Sequence, residues 1–281
     1  MDAAVKIGFS MHPRWLGDAD LETFVRPLRQ AGLGALEFEL DHNQPYWAEF
    51  EILMQTAARQ GLDLSFHAPY RAPYSLVGFA GPRREAIAAD YRPMLAIADR
   101  WGERLGSLRT VVVHAAVSRQ PAQRADLEED TRAFLLWALE NFPHIRLALE
   151  NNSPARENEL KVGDRLEGVL SMIAAVSDAR LQACWDMGHD YLSRGNAAPP
   201  DEWLSQVVHV HVHDVNEQGA DHFPLVYQRV PWPAWMGALR RSGMSGLLVL
   251  ELKGGNLAGW SPQEVSAGLV HSVEATAQAW Q

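Results

Sequence analysis

His67, His114, Glu150, Asp186, His211 and Glu251 share one sequence context: each closes an apolar, strand-like run. The runs read LSFHAP, TVVVHAA, IRLALENN, LQACWDMGHD, VVHVHVHD and LLVLELK. A polar group at the end of a buried run costs desolvation unless it is paired or ligated. Repetition of the pattern therefore asks for one shared purpose. Glu150, Asp186, His211 and Glu251 come from four successive runs and form a mixed oxygen and nitrogen set. Such a set suits a divalent ion such as Mn, Co, Zn or Mg. Neighbouring parallel strands lie ~4.8 Å apart, so side chains at four adjacent strand ends can converge on one ion.

The run His209-Val210-His211-Val212-His213 has a period of two, so its histidines share one face of a strand and its valines the other. His209 is expected deepest, as a hydrogen-bonded core residue, and His211 as the ligand. His213, at the mouth, is a candidate for orienting a ligand or touching substrate. His189 follows Asp186 by three in WDMGHD, where Gly188 is expected to turn the chain so that both face one pocket. His189 is then placed to orient a substrate oxygen or to bind a second ion. His67 and His114 are candidates for a second metal site with Glu150, or for substrate binding. His222, in GADHFPL, is a further candidate ligand. Glu37, in GALEFEL, is expected to bind a ligand hydroxyl or to pair with an arginine at the rim. Trp15, in MHPRW, is a candidate apolar wall for a sugar ring.

The elements that must position these residues alternate along the chain. Strands are predicted near 5–10, 34–40, 62–67, 109–114, 145–150, 181–186, 207–213 and 246–252. Helices fit at 19–32, 46–60, 82–105, 124–141, 163–177, 200–206, 232–242 and 262–279. Asp20 and Ser261-Pro262 are start signals, the second with Gln263 and Glu264 in the first turn. Gly61, Gly106 and Gly243 stand where helices end. Eight strand–helix pairs in 281 residues, without a linker or low-complexity tract, predict one α/β domain over 1–281. Its expected form is a single (β/α)8 barrel with a metal site at the C-terminal rim of the strands. An open doubly wound sheet is disfavoured, because SMHPRWLGD replaces a glycine-rich phosphate loop after the first strand.

The net charge of −10 argues against a duplex nucleic-acid partner, whose phosphates need clustered Lys and Arg. A single cysteine, Cys184, allows no intrachain disulfide, which fits a reducing compartment. MDAAVKIGFSM lacks the apolar core of a signal peptide, and no run approaches the ~18 apolar residues of a membrane span. The expected location is cytoplasmic, with no membrane partner.

The motifs HAPY (67–70), VVVH (111–114), LALEN (147–151), WDMGH (185–189), HVHVHD (209–214) and LELK (250–253) resemble those of the xylose isomerase-like barrel superfamily. That group holds sugar and sugar-phosphate isomerases and epimerases, and the endonuclease IV family. The resemblance covers roughly residues 5–280 and is specific for the superfamily rather than for one member. In the ketose 3-epimerase branch it implies Glu150, Asp186, His211 and Glu251 as ligands of one metal. Glu150 and Glu251 double as the acid/base pair acting through an enediolate, and His189 holds a substrate oxygen. The substrate would be a sugar, sugar phosphate or related polyol. Glu217 stands where this branch usually has a substrate-binding arginine.

In the endonuclease IV branch the resemblance implies three zinc ions, with His67, His114 and Glu150 at one and His189 and His222 at another. The aspartate expected two before the last histidine is Ala220, with Asp221 one step late, so that third site is expected to be impaired. VYQRV also replaces the usual Gly-x-Gly after this histidine. A multi-zinc phosphoester hydrolase and a non-catalytic binding barrel are the alternative readings. Members of the superfamily are often homo-oligomers.

Overall fold

Apolar runs that alternate with amphipathic ones build a closed barrel. The computed structural model describes residues 5–17, 19–40, 47–70 and 73–281. In chain order, β1 (Lys6–Met11) leads to α1 (Leu21–Gln30), β2 (Leu33–Glu39) to α2 (Trp47–Arg59), and β3 (Asp63–His67) to α3 (Arg84–Leu105). β4 (Arg109–Val113), a short β5 (Val117–Ser118) and α4 (Arg124–Asn141) follow. Next come β6 (Ile145–Glu150), a short β7 (Leu160–Lys161) and α5 (Leu166–Val176). β8 (Leu181–Asp186) runs into α6 (Met187–Arg194) and α7 (Asp201–Leu204). β9 (Val207–Val212), α8 (Trp232–Arg241), β10 (Leu247–Leu250) and α9 (Pro262–Trp280) complete the chain. Eight parallel strands close in the order β1-β10-β9-β8-β6-β4-β3-β2, the expected (β/α)8 barrel. β5 and β7, absent from the sequence reading, form a separate antiparallel pair. They are too short for a periodic signal.

The chain forms two compact units. One comprises Met1–Phe38, Pro45–Leu64 and Asp186–Gln281; the other comprises Glu39–Gln44 and Ser65–Trp185. In the first, β10 pairs with β9 in the register Leu247↔His209 and Val249↔His211. β1 pairs with β2 in the register Gly8↔Ala35 and Ser10↔Glu37. A Cβ on Gly8 would lie 3.0 Å from Val249 Cγ2, so glycine lets Val249 pack against Ala35. Val210 and Val212, on the opposite face of β9 from its histidines, are fully buried. Each contributes about 1.5–3 kcal/mol through burial.

In the second unit, β4 and β6 pair from Arg109↔Ile145 to Val113↔Leu149, which brings His114 level with Glu150. β3 joins through His67↔Val112.

Helix termini follow the sequence signals. Asp20 caps α1 by accepting the Thr23 N–H at 2.7 Å, and Ser261 and Glu264 form a reciprocal capping box on α9. Gly106 ends α3 in the left-handed conformation, at φ 64°. The helical stretch after β8 differs from expectation. It begins at once, as α6, and the run expected at 200–206 shrinks to α7. Asp186 is itself the N-cap of α6, which the sequence reading had treated only as a ligand.

Candidate functional site

Both units carry buried imidazole–carboxylate groups at strand ends. In the unit containing β9, the period-two placement holds: His209, His211 and His213 are all fully buried. Glu37 reaches His209 Nε2 with Oε2 at 2.8 Å and His211 Nε2 with Oε1 at 3.1 Å. Glu37 was expected to meet a hydroxyl or a rim arginine. It is instead fully buried, and its described partners are histidines. The other nitrogen of His211, Nδ1, lies 3.1 Å from Glu251 Oε2. The same oxygen lies 3.1 Å from His222 Nε2. Burial pushes the Glu251 carboxyl up, but His211 and His222 outweigh it and hold the group well below the ordinary carboxylate range.

Asp186 Oδ1 accepts the His189 backbone N–H at 2.7 Å as the cap of α6. Its carboxylate also meets His213 Nε2 at 2.9 and 3.1 Å, and His189 Nδ1 at 3.1 Å. Burial raises the Asp186 carboxyl, and His189 and His213 more than reverse this. His213 is held below its ordinary range, chiefly by burial, with Asp186 opposing. The neutral ring donates through Nε2 to Asp186 and accepts the His222 backbone N–H at Nδ1, 2.9 Å away. Both nitrogens are thus engaged, and His213 lies with Asp186, His222 and Glu251 in one set with ligand spacing. Its ring stacks on that of His222 at 4.0 Å between centroids. Against it lies Gly188, where a Cβ would fall 1.9 Å from His213 Cε1. Gly188 therefore sits inside α6 to make room for a ring, not to turn the chain.

His222 is buried, with a left-handed backbone at φ 62°. That conformation brings Asp221 into the group that its sequence position had been expected to impair. Asp221 Oδ1 lies 2.9 Å from His222 Nδ1, and Oδ2 lies 3.6 Å from His189 Nε2. His189, Asp221 and His222 form one set with ligand spacing. Burial raises the Asp221 carboxyl, but hydrogen bonds from His189 and His222 hold it far below its ordinary range. His222 is pushed down by burial and pulled up further by Glu251, so it ends above its ordinary value. The Lys253 ammonium also enters this set, 3.1 Å from Asp221 Oδ1 and 2.9 Å from His222 Nδ1.

Asp214 secures the loop that carries these residues. It is fully buried and accepts backbone N–H groups from Val215, Tyr227, Gln228, Arg229 and Val230. Trp15 is half-buried, packed edge-on against Phe9 at 5.4 Å between centroids.

In the other unit, Glu150 Oε2 lies 3.0 Å from His114 Nε2 and 3.3 Å from His67 Nε2. His67 Nδ1 lies 2.7 Å from the Ala68 carbonyl. Tyr70 stacks on His114 at 4.1 Å and 6°.

His67 and His211 share one electrostatic feature. Each has one nitrogen against a group that only accepts: the Ala68 carbonyl for His67 and the Glu37 carboxylate for His211. That nitrogen must carry hydrogen. Each presents its other nitrogen to a glutamate oxygen, Glu150 for His67 and Glu251 for His211. With hydrogen on both nitrogens such a ring is a cation that pairs with the glutamate; with a bare second nitrogen it needs a positive centre shared with the carboxylate, the condition a metal-ligand set meets.

Sequence reasoning missed the Glu37–His209–His211 link and the parts played by Asp221, Lys253 and Tyr70. The signals were present in part. Asp221 adjoins His222, and Lys253 is two residues from Glu251. Glu37 alternates onto the face of Ala35, but its partners lie more than 170 residues away.

No helix among the described residues is long and apolar enough to cross a membrane. A search of curated proteins finds no match. Solved structures share the fold along the whole chain. D-psicose 3-epimerase from Clostridium cellulolyticum H10, solved with D-tagatose, is 14% identical with a TM-score of 0.73, covering 99% of this chain and 100% of that one. D-allulose 3-epimerase from Methylomonas sp. is 16% identical with a TM-score of 0.67, covering 99% and 98%. 3-Keto-D-glucoside 4-epimerase from E. coli is 15% identical with a TM-score of 0.68, covering 96% and 99%. The family model for the xylose isomerase-like TIM barrel matches residues 25–275, and the chain belongs to that family.

Proposed function

We propose that this protein is a divalent-metal-dependent isomerase or epimerase acting on a sugar, sugar phosphate or related polyol. The observation that carries the reading is the pair of imidazole nitrogens, on His67 and His211, that face glutamate oxygens across 3.3 and 3.1 Å. That spacing admits a cation shared between nitrogen and oxygen. The similarity to sugar epimerases supports the substrate class.

Glu251 lies at ligand spacing with His211 and, in another set, with Asp186. Glu150, Asp186, His211 and Glu251 are assigned as ligands on the sequence pattern. The mixed donors suit Mn, Co, Zn or Mg. When bound, the ion supplies Lewis-acid polarisation of a carbonyl and so acidifies the neighbouring carbon. Glu251 is ionised at neutral pH and can take the proton from that carbon, and Glu150 delivers one in return. His189 holds a substrate oxygen, and Trp15 offers its ring as an apolar wall.

Elemental analysis of the purified protein tests the metal. One Mn, Co or Zn per chain, lost in Glu251→Ala, supports the reading. No ion even after reconstitution overturns it. With a sugar panel in deuterated water, Glu150→Gln and Glu251→Gln should each lower turnover at least about 100-fold, the usual scale of general acid–base catalysis. Unchanged turnover would remove the acid/base assignment.

A multi-zinc phosphoester hydrolase is the second reading. The His67–His114–Glu150 and His189–Asp221–His222 sets favour it. The net charge of −10 disfavours a duplex substrate. Three zinc ions per chain with cleavage of an abasic duplex would reverse the order.

A further inference from the structure

Glu37 is fully buried in the β1–β2–β9–β10 unit, with both carboxylate oxygens turned to imidazoles. β2 is three places round the barrel from β9, so the side chain reaches across the interior. Small neighbours leave it that room, since Gly8 and Ala35 stand one layer earlier in the register. A carboxylate oxygen accepts, so the His211 Nε2 that meets Glu37 Oε1 in a 3.1 Å hydrogen bond carries hydrogen. The free choice left to His211 is Nδ1, and that atom faces Glu251 at 3.1 Å.

We propose that Glu37 is a positioning residue that fixes His211 with hydrogen on Nε2 and thereby aims Nδ1 as its donor atom toward Glu251. The role rests on the metal-dependent reading, in which His211 and Glu251 are ligands. Glu37 has no exposed surface, and its described contacts are to His209 and His211. The carboxylate turns one oxygen to each imidazole, Oε1 to His211 and Oε2 to His209. Glutamine keeps one acceptor oxygen and would turn its amide N–H donors toward one of the two rings. A hydrogen-bond partner of this kind behind a ligating histidine typically governs 10–100-fold of metal affinity.

The test uses the metal-free full chain labelled with ¹⁵N-histidine. Nitrogen shifts and couplings of His211 report which ring nitrogen carries hydrogen. Hydrogen on Nε2 in the wild type is expected; a bare Nε2 overturns the proposal without any variant. Isothermal titration with Mn²⁺ or Co²⁺ then compares the wild type with Glu37→Gln, after circular dichroism shows that the variant is folded. Affinity should fall about 10–100-fold. A change below about twofold overturns the proposal. If Glu37→Gln does not fold, Glu37→Asp takes its place, and its shorter reach should weaken the ion in the same direction. If the wild type itself binds no ion, the metal-dependent reading fails, while the nitrogen shifts still decide what Glu37 does to His211.

Discussion

Replacing Gly188 by alanine should dislodge His213, and the cost can be worked from the geometry. The added Cβ would lie 1.9 Å from His213 Cε1 and 2.4 Å from Nδ1. Carbon contacts relax near 3.5 Å, so the ring must move by roughly 1.5 Å. That displacement breaks two hydrogen bonds, one at 2.9 Å to Asp186 and one at 2.9 Å from the His222 N–H. The first involves a charge and is worth about 1.5–3 kcal/mol; the second is worth about 0.5–1.5 kcal/mol. The expected loss of stability is about 3 kcal/mol. For a chain of this size it lowers the melting temperature by about 6–12 °C.

The comparison that isolates the cause is a double-mutant cycle in the metal-free protein, with His213→Ala as the second change. Once the ring is gone, alanine at 188 loses its nearest clash and gains the ordinary helix preference over glycine, up to about 1 kcal/mol. The two changes should therefore couple by about 3–4 kcal/mol in urea unfolding. Additivity within about 0.5 kcal/mol would refute the idea that Gly188 exists to admit His213.

Asp214→Asn should turn a donor toward N–H groups that now meet an oxygen, costing about 1–3 kcal/mol for the mismatch. Amide exchange at Tyr227, Gln228, Arg229 and Val230 should quicken, and unchanged protection there would show that the loop is held by other means. Lys253→Met should remove the cation from the His189–Asp221–His222 set and raise the number of Zn²⁺ ions bound per chain by one. Equal stoichiometry in wild type and variant, by elemental analysis, would count against the lysine acting as an internal cation. Ser261→Ala should cost about 1 kcal/mol through loss of the cap on α9, read from thermal melting. A shift under about 1 °C would mean that packing alone holds that helix end.

The barrel was legible because its signals are local. Each strand is one apolar run, several helices carry a cap or an ending glycine, and eight repetitions leave few architectures. Strand-end ligand types were legible for the same reason. What lay outside the sequence was which nitrogen faces which oxygen. Asp221 was judged one residue out of step, yet the left-handed backbone at His222 restores its reach. Register counting assumes regular backbone and fails where φ changes sign. In the sequence Gly188 suggests a turn, since glycine serves both turns and close approaches. Only the neighbouring His213 ring separates the two.

Glu37 shows the deeper limit. Its own segment, GALEFEL, supports a strand with an inward glutamate and says nothing of what it meets. Its partners enter 172 and 174 positions later, in β9. The histidine run there explains itself as period-two patterning, so neither segment demands the other. Closing the barrel makes the demand: two buried imidazoles and one buried carboxylate are each costly alone and acceptable only together. On the proposed reading, the donor atom of His211 is set by a residue that does not itself hold the ion. Swapping the proposed ligands while leaving β2 unchanged would keep Nε2 hydrogen-bearing and Nδ1 turned toward residue 251. A Glu251→Asp variant should accordingly preserve the His211 nitrogen shifts while weakening the ion, whereas Glu37→Gln should alter both.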